Sequence, residues 1–240
     1  MTERSGARAP CARIRVRAAF HGPPDSGNGG YSAGLIATAI GRELNVRLVR
    51  PVPLERELEV IAVEEARWEV RAEGATIATA APATLSVDVP EPVPYVEAVD
   101  VSRHYAGFEQ HAFPQCFVCG PQRPVGEGLR IFPGDVPGRG IVAAPWTPAP
   151  ALESGGAVRP EFIWAALDCP GYFASGSAQV ALLGELAVRI ERPVHAGERC
   201  VVIGWPLAIE GRKHRVGTAL FGEHGACCAF GVATWIRVAA

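Results

Sequence analysis

The 240-residue sequence lacks long apolar runs and an excess of charge of either sign. Its apolar runs are broken by glycine, proline or charge well before the ~20 residues that a transmembrane helix needs, so we expect no membrane span. Lysine and arginine number 23 against 25 aspartate and glutamate, without a basic block, which argues against nucleic acid as a partner. The N-terminal stretch lacks the apolar core of a secretory signal, and the seven cysteines are an odd number, so we expect a cytoplasmic protein with reduced thiols.

Glycine and proline are frequent instead, with 27 and 21 residues, which is typical of strands joined by many turns. With 48% apolar and 20% charged residues, the chain should be globular. The segment 46–52 recurs at 188–194 with a constant offset of 142, and five of the seven positions are identical. The same offset aligns 57–62 with 199–204, and both read as the next strand. The sequence therefore predicts two diverged copies of one unit.

Each predicted copy contains one central helix and a run of alternating strands. Asn28 can cap a helix over Gly29–Ile40, and Gly41 can end it. A second helix opens at Pro160, with Glu161 in its first turn, where a carboxylate is favourable. The predicted strands are about residues 14–20, 44–52, 57–66, 68–73 and 75–88, then 129–132, 140–146, 182–192, 198–209, 213–222 and 226–238. This order predicts an α+β fold in which a curved antiparallel sheet wraps round the central helix of each half.

The domain boundaries follow from the same order. We expect an N-terminal repeat at residues 1–98 and a C-terminal repeat at 129–240. Residues 99–128 should form a linker or insert that carries a Cys-x-x-Cys loop, preceded by an extended proline-rich stretch at 89–94.

Two segments carry a resemblance to a known family. Residues 28–34, Asn-Gly-Gly-Tyr-Ser-Ala-Gly, are similar to the Gly-Gly opening of the first helix in the acyl-CoA thioesterase II family. Residues 166–173, Ala-Leu-Asp-Cys-Pro-Gly-Tyr-Phe, are similar to the Leu-Asp segment of that family's second helix. The chain thus resembles a divergent member of this family over most of its length, and the resemblance implies a double hotdog fold made of two tandem repeats.

The resemblance also implies an activity. A member of this family would hydrolyse acyl-CoA or carrier-bound acyl thioesters, would need no cofactor, and would form a homo-oligomer, a dimer of double hotdogs. The family's catalytic aspartate, which activates or orients water, matches Asp168. The family's two other catalytic polar groups have no equivalents in this sequence, since the glutamine position falls near Val232 and the hydroxyl position near Leu207 and Ala208.

The first helix start is the predicted substrate site. Thioester hydrolysis needs a polarised carbonyl group, and the free backbone N–H groups of a helix N-terminus can polarise it. We therefore expect substrate to bind at Asn28, Gly29, Gly30 and Tyr31, with its carbonyl at the Gly29–Gly30 turn and with Trp164 lining an acyl pocket. The residues alone equally allow the two glycines to form a simple turn into the helix. A tryptophan such as Trp164 is more often a core residue than part of a pocket.

Asp168 is the predicted catalytic group. Apolar neighbours surround it in sequence, and a buried carboxylate has a raised pKa and can act as a general base. The alternative is an aspartate that only caps the backbone freed by Pro170. Glu161 lies on the same helical face and is a weaker candidate, because a first-turn acid explains it equally well.

Two histidines are further candidates. His111 precedes Cys116 and Cys119, but a structural zinc site needs four ligands and no second pair has suitable spacing, so we predict no metal site and a loop near the active-site mouth. His21 could neighbour the Gly-Gly turn and pair with Asp168, as in hotdog hydratases and dehydratases. That activity, or binding of acyl thioesters without catalysis, is the alternative to hydrolysis.

Overall fold

The computed structural model describes residues 9–176 and 180–238. Thirteen strands are present in these ranges: β1 Ala12–Arg15, β2 Leu44–Leu48, β3 Glu57–Glu64, β4 Arg67–Ala72, β5 Ala75–Pro82, β6 Gly134–Val136, β7 Ile141–Trp146, β8 Glu153–Ser154, β9 Ala157–Val158, β10 Ala181–Ile190, β11 Cys200–Glu210, β12 Lys213–Phe221 and β13 Cys227–Arg237. The α-helices are α1 Gly29–Ile40, α2 Tyr95–Ser102, α3 Pro160–Ala166 and α4 Cys169–Ala174. Within the described ranges, none of these helices is long and apolar enough to cross a membrane.

Eleven of the strands form one antiparallel sheet, in the order β1-β3-β4-β5-β2-β10-β13-β12-β11-β7-β6. The strands β8 and β9 form a separate small hairpin. From the central β2–β10 pair outward, the first half runs β5, β4, β3, β1 and the second half runs β13, β12, β11, β7. The two halves therefore share one strand order, and the sheet is continuous across them.

The register at the centre of the sheet agrees with the repeat in the sequence. Asn45 of β2 pairs with Ala187 of β10, which lies 142 positions further along the chain. When a local two-fold axis relates two antiparallel strands, the residue on the axis pairs with the equivalent residue of the other strand. An offset of 142 makes Ala187 the equivalent of Asn45. That the two halves are tandem copies of one unit, with boundaries at 98 and 128, stays a prediction.

The first helix forms where the sequence predicts it. The Asn28 side chain accepts a hydrogen bond from the backbone N–H of Tyr31, and Gly41 ends the helix in the left-handed conformation at φ 75°. The buried face of α1 packs on α3 of the second half. At Gly34 an added Cβ would lie 2.6 Å from Trp164 Cβ, so glycine permits the close approach of the two helices.

The second-half helix is interrupted, which the sequence analysis missed. Helix α3 ends at Ala166, and α4 begins at Cys169 after two residues outside either helix. Pro170 has no N–H to donate to the carbonyl group of Ala166, so a continuous helix would lose a hydrogen bond at this point. The break leaves Asp168 between the two short helices.

One strand prediction in the connection between the halves is wrong. Residues 129–132 are not a strand, because Arg130 has a positive φ of 54° and the segment donates to the carbonyl groups of Phe117 and Val118 rather than to a strand. The connection also contains α2, which packs against β7 with Ala98 and Val101 buried. The predicted boundary at residue 98 thus falls inside a helix.

The two halves share one main core. Its buried side chains come from the helices and strands of both halves, as Ile36, Leu58, Phe162 and Leu186 illustrate. The α1–α3 contact and the β2–β10 pair both join the halves, and Gly30 at the start of α1 lies next to the break between α3 and α4.

The α1–α3 contact makes a testable prediction about Gly34. Gly34→Ala in an isolated helix would add up to about 1 kcal/mol of stability. Here the new methyl group would meet Trp164 Cβ and Glu161 Cα, so we expect the free energy of unfolding to fall by about 1–3 kcal/mol in urea denaturation. Thr38→Ala, at an exposed site of the same helix, is the control and should change it by less than about 0.7 kcal/mol. A Gly34→Ala protein more stable than wild type would contradict the packing.

Candidate active site

The start of α1 is the first element of the site. Asn28 is 3% exposed, and its Oδ1 accepts the backbone N–H of Tyr31 at 2.9 Å. Its Nδ2 donates to Asp168 Oδ2 at 2.9 Å. Asn28 thus caps the first helix and at the same time binds a carboxylate from the other half of the chain.

Asp168 is the second element. The backbone N–H of Gly30 donates to the same Oδ2 at 3.0 Å, so two donors from the start of α1 hold this oxygen. The Asp168 side chain makes no capping bond to its own helix α4. The interpretation of Asp168 as a cap for the backbone near Pro170 is therefore wrong. Its carboxylate instead lies at the N-terminus of α1, where free N–H groups and the helix dipole favour negative charge.

The other oxygen of this carboxylate is not satisfied. Asp168 is 1% exposed, and its Oδ1 is buried with no hydrogen-bond partner in the described part of the chain. Burial raises the pKa of Asp168 to about 7, and the hydrogen bond from Gly30 partly opposes this shift. A carboxyl group with such a pKa can both take up and release a proton near neutral pH.

The two glycines have different surroundings. An added Cβ on Gly30 would lie 2.5 Å from Asp168 Cβ and 2.7 Å from the carbonyl oxygen of Trp164, so glycine is needed there for the approach of Asp168. The Gly30 N–H is taken by Asp168. The Gly29 N–H has no acceptor in the described residues, and Gly29 lines a cavity. Of the two N–H groups predicted to polarise a carbonyl, only that of Gly29 is open.

The cavity has a volume of about 570 Å³ and mainly apolar walls drawn from both halves of the chain. Asn28, Gly29 and Asp168 border it on one side. The predicted candidate His111 also lines it, together with Leu183 and Trp235, which the sequence analysis did not single out. The Nε1–H of Trp235 has no partner among the described residues.

The other sequence candidates do not line this cavity. The ring of Tyr31 stacks on Phe20 at 4.3 Å between centroids, and the backbone and Cβ of Trp164 contact α1. The expected role of these two side chains in substrate binding is therefore not supported, because both are buried in the core.

Two more of the sequence candidates have other partners. Glu161 is buried in the first turn of α3 with its Oε1 3.4 Å from Arg159 Nη1. The Nε2 of His21 lies 3.3 Å from Arg123 Nη1, and His21 is not among the cavity residues. The proposed His21–Asp168 pair of a hydratase is thus not assembled.

A cluster of thiols lies beside the carboxylate. The sulfur atoms of Cys116, Cys119 and Cys169 are all within 4.8 Å of one another, and all three residues are buried. The His111 Nε2 is 3.3 Å from Cys119 Sγ, and the Asn28 Nδ2 is 3.8 Å from Cys116 Sγ. The prediction of no metal site assumed that no further ligand was near the Cys-x-x-Cys pair, and that assumption is wrong. Cys169, which follows Asp168 in the sequence, is the residue that could have indicated a third ligand.

Comparison with known proteins identifies the fold. The tesB protein of Mycobacterium avium subspecies paratuberculosis has a similar structure with a TM-score of 0.63 and 12% identity, over 99% of this chain and 96% of that one. A thioesterase-like protein of Novosphingobium aromaticivorans gives a TM-score of 0.60 and 15% identity, over 97% and 98% of the two chains. No protein-family model and no curated protein matches the sequence. The likeness confirms the predicted hotdog-type fold.

The two roles of Asn28 can be separated by substitution. Asn28→Ser keeps a capping oxygen for Tyr31 but cannot reach Asp168, so we expect it to lower the free energy of unfolding by about 1–3 kcal/mol. Asn28→Ala also loses the cap and should cost about 1 kcal/mol more. Urea denaturation of both variants measures the two contributions. If Asn28→Ser were as stable as wild type, the bond to Asp168 would contribute nothing to stability.

Proposed function

We propose that this protein hydrolyses acyl thioesters of coenzyme A or of an acyl carrier, with Asp168 as the general base. The observation that carries the proposal is the state of the Asp168 carboxylate. It borders an apolar cavity, its Oδ2 is held by Gly30 and Asn28, and its Oδ1 has no partner in the described chain. A carboxylate fixed through one oxygen keeps the other available to accept a proton from water.

The chemistry follows from the two groups at the cavity wall. A water molecule loses a proton to Asp168 Oδ1 while its oxygen attacks the thioester carbonyl carbon. The Gly29 N–H is the available donor for the carbonyl oxygen as negative charge develops on it. The carbon–sulfur bond then breaks, and Asp168 returns the proton to the leaving sulfur. The products are a carboxylic acid and a free thiol, and Asp168 regains its starting state.

The site must open slightly for this reaction. Asp168 Oδ1 is closed to bulk water in the free protein. Substrate binding must therefore make room for one water molecule beside Oδ1. Trp235, which lies on the strand where the resembling family has its glutamine, also lines the cavity.

The cavity is suited to an acyl chain. Its mainly apolar lining stabilises a hydrocarbon by removing it from water. Arg50 is the single lysine or arginine in the described lining, and it is exposed two residues after the end of β2. We assign to Arg50 the contact with a phosphate group of coenzyme A.

We also infer that the two halves are tandem hotdog units. The shared strand order and the pairing of Asn45 with Ala187 support this inference. Under it, the cavity lies between the units, with the helix start of one unit and the aspartate of the other on its wall. Assembly of the chain into a dimer stays a prediction.

Release of free thiol from a panel of acyl-CoAs tests the activity. Asp168→Asn keeps the shape of the side chain but cannot take up the proton, so we expect kcat to fall by at least about 100-fold. Asp135→Asn, at an exposed position of β6, is the matched control and should retain wild-type kcat. Circular dichroism of each variant checks that the fold is retained.

Two outcomes would contradict this assignment. Unchanged kcat in Asp168→Asn would remove Asp168 from the mechanism. Tight binding of acyl-CoA by the wild-type protein without thiol release, at any chain length, would identify a binding protein instead of a hydrolase.

The role of Arg50 has its own test. Arg50→Ala should raise KM for an acyl-CoA by roughly five- to tenfold, the effect of losing an exposed ion pair of about 1 kcal/mol. It should leave KM unchanged for the same acyl group on pantetheine, which lacks the nucleotide phosphates. Arg47→Ala, on β2 and outside the cavity lining, is the control. An equal effect of Arg50→Ala on both substrates would exclude a phosphate contact.

A further inference from the structure

The cluster of three cysteines next to Asp168 has no role in the proposed hydrolysis. Cys116 and Cys119 come from the connection between the halves, and Cys169 opens helix α4. Their exposures are only 3–4%, and no disulfide joins them. The fold thus brings the sulfur of Cys169 to a Cys-x-x-Cys pair that lies about 50 residues earlier in the sequence.

The spacing of the sulfur atoms fits a metal ion. In a tetrahedral zinc site with Zn–S bonds of about 2.3 Å, neighbouring sulfur atoms lie roughly 3.8 Å apart. Cys116 Sγ and Cys169 Sγ are 3.8 Å apart, and the whole set lies within 4.8 Å. Shifts of less than about 1 Å would therefore bring all three sulfurs to one ion.

A nitrogen atom lies next to one of the three sulfurs. The His111 Nε2 is 3.3 Å from Cys119 Sγ, a normal separation for two ligands of one ion. The His111 Nδ1 accepts the backbone N–H of Phe113 at 2.9 Å, so the ring proton is on Nε2 in the free protein. To bind through Nε2, the ring must move this proton to Nδ1 and release the bond from Phe113.

The surroundings also suit thiolates. The Asn28 Nδ2 lies 3.8 Å from Cys116 Sγ and can donate to it, as donors around metal-bound sulfur commonly do. The remaining buried cysteines that the structure describes, Cys200 and Cys228, have no such group of sulfur and nitrogen atoms around them. Core packing alone does not require three sulfurs and an imidazole at one point.

We propose that Cys116, Cys119 and Cys169 bind one Zn²⁺ ion as thiolates, with His111 Nε2 as the fourth ligand. Three thiol protons leave on binding, and the ion is neither oxidised nor reduced. Four protein ligands close the coordination sphere, so the ion is structural. The ion links the connection between the halves to α4, next to the hydrogen bond between Asn28 and Asp168. The site does not depend on the proposed hydrolase activity.

Metal content is the primary test. Protein expressed with added zinc and purified under reducing conditions without chelator should contain about one zinc ion per chain by mass spectrometry of the metal. Cys116→Ala, Cys119→Ala and Cys169→Ala should each lower the zinc content at least about tenfold at the same free zinc concentration. Cys200→Ala, at a fully buried position outside the cluster, is the matched control and should keep the zinc.

The wild-type protein supplies a measurement that does not depend on the folding of variants. Reconstituted with Co²⁺ in place of zinc, it should display intense thiolate-to-cobalt charge-transfer absorption and the ligand-field bands of tetrahedral cobalt. X-ray absorption of the zinc protein should give three sulfur neighbours and one nitrogen. His111→Ala should weaken zinc binding about 10- to 100-fold while the three sulfur neighbours remain.

The proposal is overturned if the wild-type protein, reduced and reconstituted with excess zinc, retains no metal after desalting. Fewer than three sulfur neighbours, or full zinc content in Cys169→Ala, would also overturn it. Unchanged affinity in His111→Ala would remove His111 as a ligand. None of these readouts depends on thioesterase activity, so failure of the metal site and failure of the proposed function are distinguishable.

Discussion

Two hydrogen bonds to one oxygen of the buried Asp168 carboxylate organise the centre of the molecule. Asp168 receives the Gly30 N–H and the Asn28 side chain, both from the other half of the chain. The close approach permits only glycine at position 30, and the asparagine must cap α1 with one end of its amide and reach Asp168 with the other. Helix N-terminus and carboxylate thus stabilise each other across the junction of the two halves.

Features with local signals were predicted from the sequence, whereas features that depend on distant partners were not. Helix α1 has the predicted bounds, because Asn28 and Gly41 mark its ends regardless of tertiary context. The break before α4 was missed although Pro170 marks it, because the apolar periodicity continues through it. The resemblance identified Asp168 as a candidate, but no spacing rule reveals that its partner is the backbone of Gly30, 138 residues away.

The connection between the halves is part of the site rather than a simple tether. It supplies His111 and two of the three clustered thiols to the cavity wall, and the Phe117 N–H binds the carbonyl group of His21 in the first half. The sequence analysis looked for a second pair of ligands with suitable spacing, so the single Cys169, at the start of the helix that follows Asp168, was not counted. The cavity, the Asp168 carboxylate and the three thiols therefore share supporting contacts. A substitution that disturbs one of them should also disturb the other two.

The central β2–β10 pair has a consequence for biosynthesis. During translation β2 is complete roughly 130 residues before β10 emerges, which corresponds to on the order of ten seconds at the usual rate of elongation. Throughout that interval the nascent first half presents an open strand edge, with backbone donors and acceptors ready to pair with a neighbouring chain. Until β10 is made, this edge is a site at which two neighbouring nascent chains can pair.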